Sequence, residues 1–258
     1  MKGGAVDRIL EKILKKYHKI INYVANNKIL LTILMLVFVA GVSIGIQYLF
    51  AYIGLWIFGR AKMTSTVGTT IFSAVCYAAT LAIVILLPAK LYKKWKTNRD
   101  QLGLNGLPTW TDLGLAPIAY VASLLLAYAF SALFSFLPWF NANEAQNVGY
   151  NDYLSDWERV VAFIALVVIA PIVEEIVFRG WLYGKLRRRY VMPIAIFLTS
   201  LLFGIVHLQW NVGVNVFATS IILCLLREVT GTVYSGILLH MIKNGLAFFL
   251  VYVLNLGM

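Results

Sequence analysis

The sequence predicts an all-α fold, a polytopic membrane bundle of seven or eight transmembrane helices. Three observations carry that prediction. Of 258 residues, 61% are hydrophobic and 13% charged, with a mean hydropathy of +0.81, far from the balance of a soluble domain. The apolar residues fall in separate runs long enough to cross a bilayer. Divided into spans of about 20 residues with short loops, this length holds roughly six to nine helices and leaves no room for a separate soluble domain.

The first element is a different kind of helix. Over residues 5–27, Val6, Ile9, Leu10, Ile13, Leu14, Tyr17, Ile20, Ile21 and Val24 recur at helical spacing, with Arg8, Lys12, Lys15, Lys16 and Lys19 around them. This is a basic amphipathic helix suited to a membrane surface, and His18 among its charges is a solvated residue. Residues 1–28 thus form a surface helix and residues 29–258 a single bundle, with a motif-bearing core at about 160–256. No charge occurs from Ile29 to Gly59, enough for one span plus an interfacial or re-entrant extension. That run is too long for a signal-peptide core and is expected to stay as an anchor. Further spans follow at about Thr69–Leu87, Leu113–Leu137, Val160–Phe178, Pro193–Leu208, Val212–Leu226 and Thr232–Leu256. The last is long enough to tilt or to break near Gly245, and no internal repeat is present.

Charge placement excludes one function class and predicts an orientation. The net charge of +11 comes from Lys and Arg clustered between apolar runs, which points to membrane topology and anionic lipid headgroups as partners and not to nucleic acid. Lys90, Lys93, Lys94, Lys96 and Arg99 follow one span and Lys185, Arg187, Arg188 and Arg189 another. The loop with Glu144, Asp152 and Asp156 has no Lys or Arg before Arg159. The amino terminus and both basic loops therefore read as cytoplasmic, with Arg60 and Lys62 running against the pattern. Cys76 and Cys224 lie in apolar segments as packed side chains, with neither disulfide nor metal-knuckle spacing.

One stretch breaks the apolar pattern. "PIVEEIVFRGW", residues 171–181, puts Glu174, Glu175 and Arg179 in a span, where each unpaired charge costs about 2.5–3.5 kcal/mol. Glu175 and Arg179 are four residues apart and can pair on one helix face. Glu174 points about 100° away and needs another partner, a raised pKa, or water. A helical hairpin turning near Tyr190 and Val191 brings His207, one turn after Phe203, to the depth of Glu174. The last span adds His240 and Asn244 on one face. Arg227 and Glu228 mark a span end, Lys243 can snorkel, and Pro171 can bend its helix and free a carbonyl.

A carboxylate and a histidine can activate water, and a His–Asn pair can donate to a developing oxyanion. The same Glu174, His207 and His240 are also an acceptable zinc ligand set, although HExxH is absent. Spacing leaves both chemistries open.

"EEIVFR" at 174–179, "FGIVH" at 203–207 and "HMIKN" at 240–244 together resemble the motifs EExxxR, FxxxH and HxxxN of the type II CAAX prenyl endopeptidases and bacteriocin-processing proteins, the CPBP or Abi family. The resemblance covers about Ala162–Ala247, with weaker similarity at "QLGLNG", 101–106. It implies an intramembrane endopeptidase in which Glu174 and His207 activate water, His240 and Asn244 hold the oxyanion, and Glu175 and Arg179 form a supporting ion pair. It further implies a membrane-associated peptide or protein substrate of CAAX, bacteriocin or signalling type, with no required cofactor, though members are also called metalloproteases. A prokaryotic cell membrane fits this short basic chain. The alternatives are a non-catalytic partner, such as a bacteriocin self-immunity or scaffold protein, and a proton- or ion-coupled transporter.

Overall fold

The computed structural model describes residues 5–63, 65–91, 95–142, 150 and 154–254, with residues 5–9 and 61 as backbone alone. Lys93, Lys94, Glu144, Asp152 and Leu256, and the side chains of Val6, Arg8 and Ile9, lie outside the described residues. No strand occurs among the described residues. Among the described residues six helices are long and apolar enough to cross a membrane, and a seventh is apolar but shorter. The chain is an integral membrane protein with an all-α fold.

The chain divides into two compact units, residues 1–38 and 39–258. In the first, α1 (Ala5–Asn26) leaves Leu10, Ile13, Leu14 and Ile20 exposed, and an exposed Glu11–Lys15 ion pair stands one turn apart at 2.9 Å. A single residue, Asn27, separates it from α2 (Lys28–Phe58), and the Leu30 N–H donates to Asn27 Oδ1 at 2.9 Å as an N-cap. α2 is one continuous helix of 31 residues and carries the charge-free run as far as Phe58, so the extension expected as interfacial or re-entrant is more of the same helix.

The second unit holds α2 from Val39 onward and the spans α3 (Thr66–Leu91), α4 (Trp110–Phe134), α5 (Asp156–Arg187), α7 (Trp210–Thr230) and α8 (Tyr234–Val253), with the shorter α6 (Met192–Ile205) between α5 and α7. α7 lies against α6 and α4, α8 against α4 and α7, and α3 against α5. One helix ends differently from expectation, and of the two alternatives for the last span, tilt or a break near Gly245, the break does not occur. α6 stops at Ile205, three residues before Leu208, because Leu208 adopts positive φ (56°) and turns the chain. α8 passes through Gly245 without a break. A Cβ there would meet Val167 Cγ1 at 3.5 Å, ordinary contact, so this glycine marks close packing instead of a kink.

Polarity is distributed for lipid. Ile118, Leu125 and Tyr128 of α4 face outward, whereas Thr199, Ser200, Thr219, Ser220 and Ser235 are buried. Small residues let backbones meet: a Cβ on Gly204 of α6 would come within 2.8 Å of Gly213 O on α7. Asp112 is buried at the start of α4. Its Oδ2 accepts from the Thr109 N–H (2.8 Å) and hydroxyl (2.7 Å), and its Oδ1 from the hydroxyls of Thr232 and Ser235 beside the start of α8. A carboxylate so fully provided with donors can sit inside the bundle and tie α4 to α8.

Gly204→Ala is expected to push α6 and α7 apart at their backbones and to cost about 1–3 kcal/mol, read as a lower unfolding midpoint in detergent.

Candidate active site

α5 carries the first motif, and its backbone is not a regular α-helix. Residues 164–169 and 175–183 are wound with hydrogen bonds five residues apart, around a short α-helical stretch at Ala170–Glu174. Wide turns of this kind rotate the following side chains relative to an α-helix and are common at functional sites. Two glycines admit a neighbouring segment here. A Cβ on Gly180 would stand 2.8 Å from Leu102 O, and one on Gly184 would stand 3.2 Å from Gln101 O. "QLGLNG" therefore docks on α5. Gly103, in the left-handed region at φ 73°, closes the short helix Arg99–Leu102, and its carbonyl accepts from the Val233 N–H at 3.0 Å.

Glu175 and Arg179 are almost wholly enclosed, at 0% and 1% side-chain exposure, and Arg179 Nη1 donates to Glu175 Oε1 at 2.8 Å. The pair is not confined to its helix. His240 Nδ1 on α8 lies 3.0 Å from the same Glu175 oxygen, so its N–H donates there and the other ring nitrogen, Nε2, is directed elsewhere. Nε2 stands 3.8 Å from Glu174 Oε2. A Cβ on Gly236, one turn before His240, would stand 3.0 Å from Glu175 Oε2, so the glycine allows α8 to approach this carboxylate.

The second motif enters through Phe203. Its ring receives the Arg179 guanidinium, with Cζ 4.3 Å from the centroid, and lies edge-on to Phe178 and His207 (both 4.9 Å) and to His240 (6.1 Å). One aromatic thus braces the cation and both histidines. His207 lies past the end of α6, not on the helix itself. Its Nδ1–H donates to Phe203 O at 2.7 Å, satisfying a carbonyl left open at the helix end and leaving Nε2 unprotonated in the neutral ring. Glu174, His240 and Lys243 are near enough to act on His207 electrostatically. Asn244 Nδ2 donates to Leu166 O on α5 at 2.9 Å.

Two residues of this site have no signal in the motifs. Tyr77, on α3, donates its hydroxyl to Glu174 Oε1 at 2.9 Å and supplies the partner Glu174 requires. Its only sequence cue is a polar-tipped aromatic inside an apolar span. Glu228, at the far end of α7, accepts from Tyr183 Oη (2.7 Å) and Arg187 Nε (2.9 Å), so that end is cross-linked to α5 and does more than mark an interface. Cys76 and Cys224 are free and buried.

A zinc ion would need Glu174, His207 and His240 as a compact set. Among the described residues no three His, Cys, Asp or Glu side chains are gathered in that way, and the Nδ1 atoms of both histidines are already engaged.

The fold and this cluster define a polytopic membrane protein with ionisable groups held between its spans. Residues 156–246, a segment that contains all three motifs, match the family model described as type II CAAX prenyl endopeptidase Rce1-like. UPF0177 protein YbdI of Lactococcus lactis subsp. lactis (strain IL1403) is 31% identical over 101 residues, 38% of this chain and 52% of the relative. The chain thus spans about half the length of the curated relative it matches. No solved structure matches it.

Arg179→Ala is expected to leave Glu175 as a buried, uncompensated charge and to cost about 3–5 kcal/mol, measured as loss of folded protein in detergent.

Proposed function

We propose that this protein is an intramembrane endopeptidase that hydrolyses a peptide bond of a membrane-associated peptide or protein by glutamate-activated water, without a resident metal. The observation that carries the reading is the gap between Glu174 Oε2 and His240 Nε2. At 3.8 Å it is too long for a direct hydrogen bond but can be bridged by one water making bonds of about 2.8 Å to each. Glu174 is held for this task from its other oxygen by Tyr77.

The steps balance within these residues. Glu174 takes a proton from the water as its oxygen attacks the carbonyl carbon, with His207 as the nearby second proton acceptor. The carbonyl oxygen gains the negative charge and is met by the Nε2–H of protonated His240 and by an Asn244 N–H. Collapse of the tetrahedral intermediate breaks the C–N bond, and the proton held by Glu174 passes to the leaving nitrogen. Glu175, with Arg179 behind it, keeps His240 turned towards the reacting atoms and stabilises its charge.

The substrate of this reading is of CAAX, bacteriocin or signalling-peptide type, and the match of residues 156–246 to the type II CAAX prenyl endopeptidase model supports the first of these. A cytoplasmic amino terminus in a prokaryotic cell membrane agrees with the Lys and Arg bias of the loops.

Purified protein in lipid is expected to cleave such a peptide. Glu174→Ala should lower kcat by roughly 10²–10⁴-fold, and His240→Ala by about 10²–10³-fold, with folding retained. Tyr77→Phe should lower kcat by about tenfold, because Glu174 loses its holding bond. Wild-type rates in the Glu174 and His240 variants would overturn the proposal. Activity should also survive a strong chelator, and its loss with recovery on adding zinc would reject the metal-free mechanism.

A further inference from the structure

Asn244 is anchored by a main-chain carbonyl that ought not to be available. Inside a helix every carbonyl is normally taken by an N–H four or five residues later. Leu166 O has two potential partners of this kind, the N–H of Ala170 and that of residue 171. The Ala170 N–H has moved to Ala165 O, five residues back, because residues 164–169 are widely wound. Residue 171 is proline, which has no N–H to give. Leu166 O is therefore open for two separate reasons, and both are needed. With regular α-winding, Ala170 would occupy it; with any other residue at 171, that residue's N–H would.

The Asn244 side chain fills the opening, donating from Nδ2 to Leu166 O at 2.9 Å. An asparagine amide has two N–H groups on one planar nitrogen. Using one on Leu166 O fixes the direction of the other, on the helix face that also carries His240. We propose that Pro171 is a positioning residue for Asn244: by removing one main-chain donor in a widely wound turn of α5, it provides the acceptor that orients the oxyanion-binding amide of α8. A substrate carbonyl then meets a donor that is already aimed, which lowers the cost of organising it in the transition state.

This rests on reading Asn244 as an oxyanion donor, and the test separates the two claims. The full-length protein, labelled with ¹⁵N-asparagine in lipid nanodiscs, is compared with Pro171→Ala and Pro171→Gly, the Asn244 side-chain resonance being assigned through Asn244→Gln. Both variants restore an N–H, and they raise helix propensity by different amounts, alanine more than glycine. The Asn244 amide signals are expected to shift in both, and unchanged signals overturn the proposal with no assay of activity. Cleavage of an internally quenched peptide with an S-farnesylated CAAX tail gives the second arm. Pro171→Ala should lower kcat roughly tenfold, with KM within about twofold of wild type and an equal or higher unfolding midpoint. In an Asn244→Ala background it should lower kcat no further. Additive losses would overturn the proposal. Retention of activity by Glu174→Ala, with the Asn244 signals still shifted, would reject the endopeptidase reading and leave the positioning role intact.

Discussion

The Glu175 carboxylate is the point on which the second unit turns. It is wholly buried, and one of its oxygens receives both the Arg179 guanidinium from its own helix and the His240 imidazole from α8. Desolvating such a pair is expensive, and well-packed apolar residues could replace it with little loss of stability. What apolar residues could not do is choose. A carboxylate that needs two donors fixes the rotation of α8 against α5, and so decides which nitrogen of His240 faces Glu174. Phe203 closes the arrangement from α6 by offering its ring face to the same guanidinium.

The two adjacent glutamates therefore have separate tasks because a helix sends neighbours in different directions. Glu175 looks inward to a cation and a histidine. Glu174 looks to Tyr77 on one oxygen and to the His240 gap on the other. In lipid, where packing alone gives little hydrophobic drive between helices, such polar anchors, the close backbone crossing at Gly204 and Gly213 and the approach of Gly236 to the Glu175 carboxylate set the arrangement.

Much of this was legible in the sequence, for physical reasons. Long charge-free runs admit only membrane helices, and the spacing of Glu175 and Arg179 permits a pair at 2.8 Å. The freed carbonyl at Pro171 was also foreseeable, because a missing N–H is a property of the residue itself. Tyr77 was not, since nothing local distinguishes it from the other tyrosines in these spans; only the packing of α3 on α5 brings it to Glu174. The wide winding of α5 was likewise hidden. Winding depends on which carbonyls find partners in the folded bundle, and hydropathy carries no record of that. The end of α6 was misplaced because "VHLQW" is apolar enough to continue a helix, and the turn at Leu208 is a matter of dihedral angle.

The short α6 bears on the surroundings of His207 inside lipid. At 1.5 Å per residue, its 14 residues reach about 21 Å, against a hydrocarbon layer of about 30 Å. The turn that follows, before α7 begins at Trp210, carries His207 and Gln209. By ending one helix early, the protein sets His207 on a turn and not within a helix, with its Nδ1–H spent on the Phe203 carbonyl that the helix end leaves open.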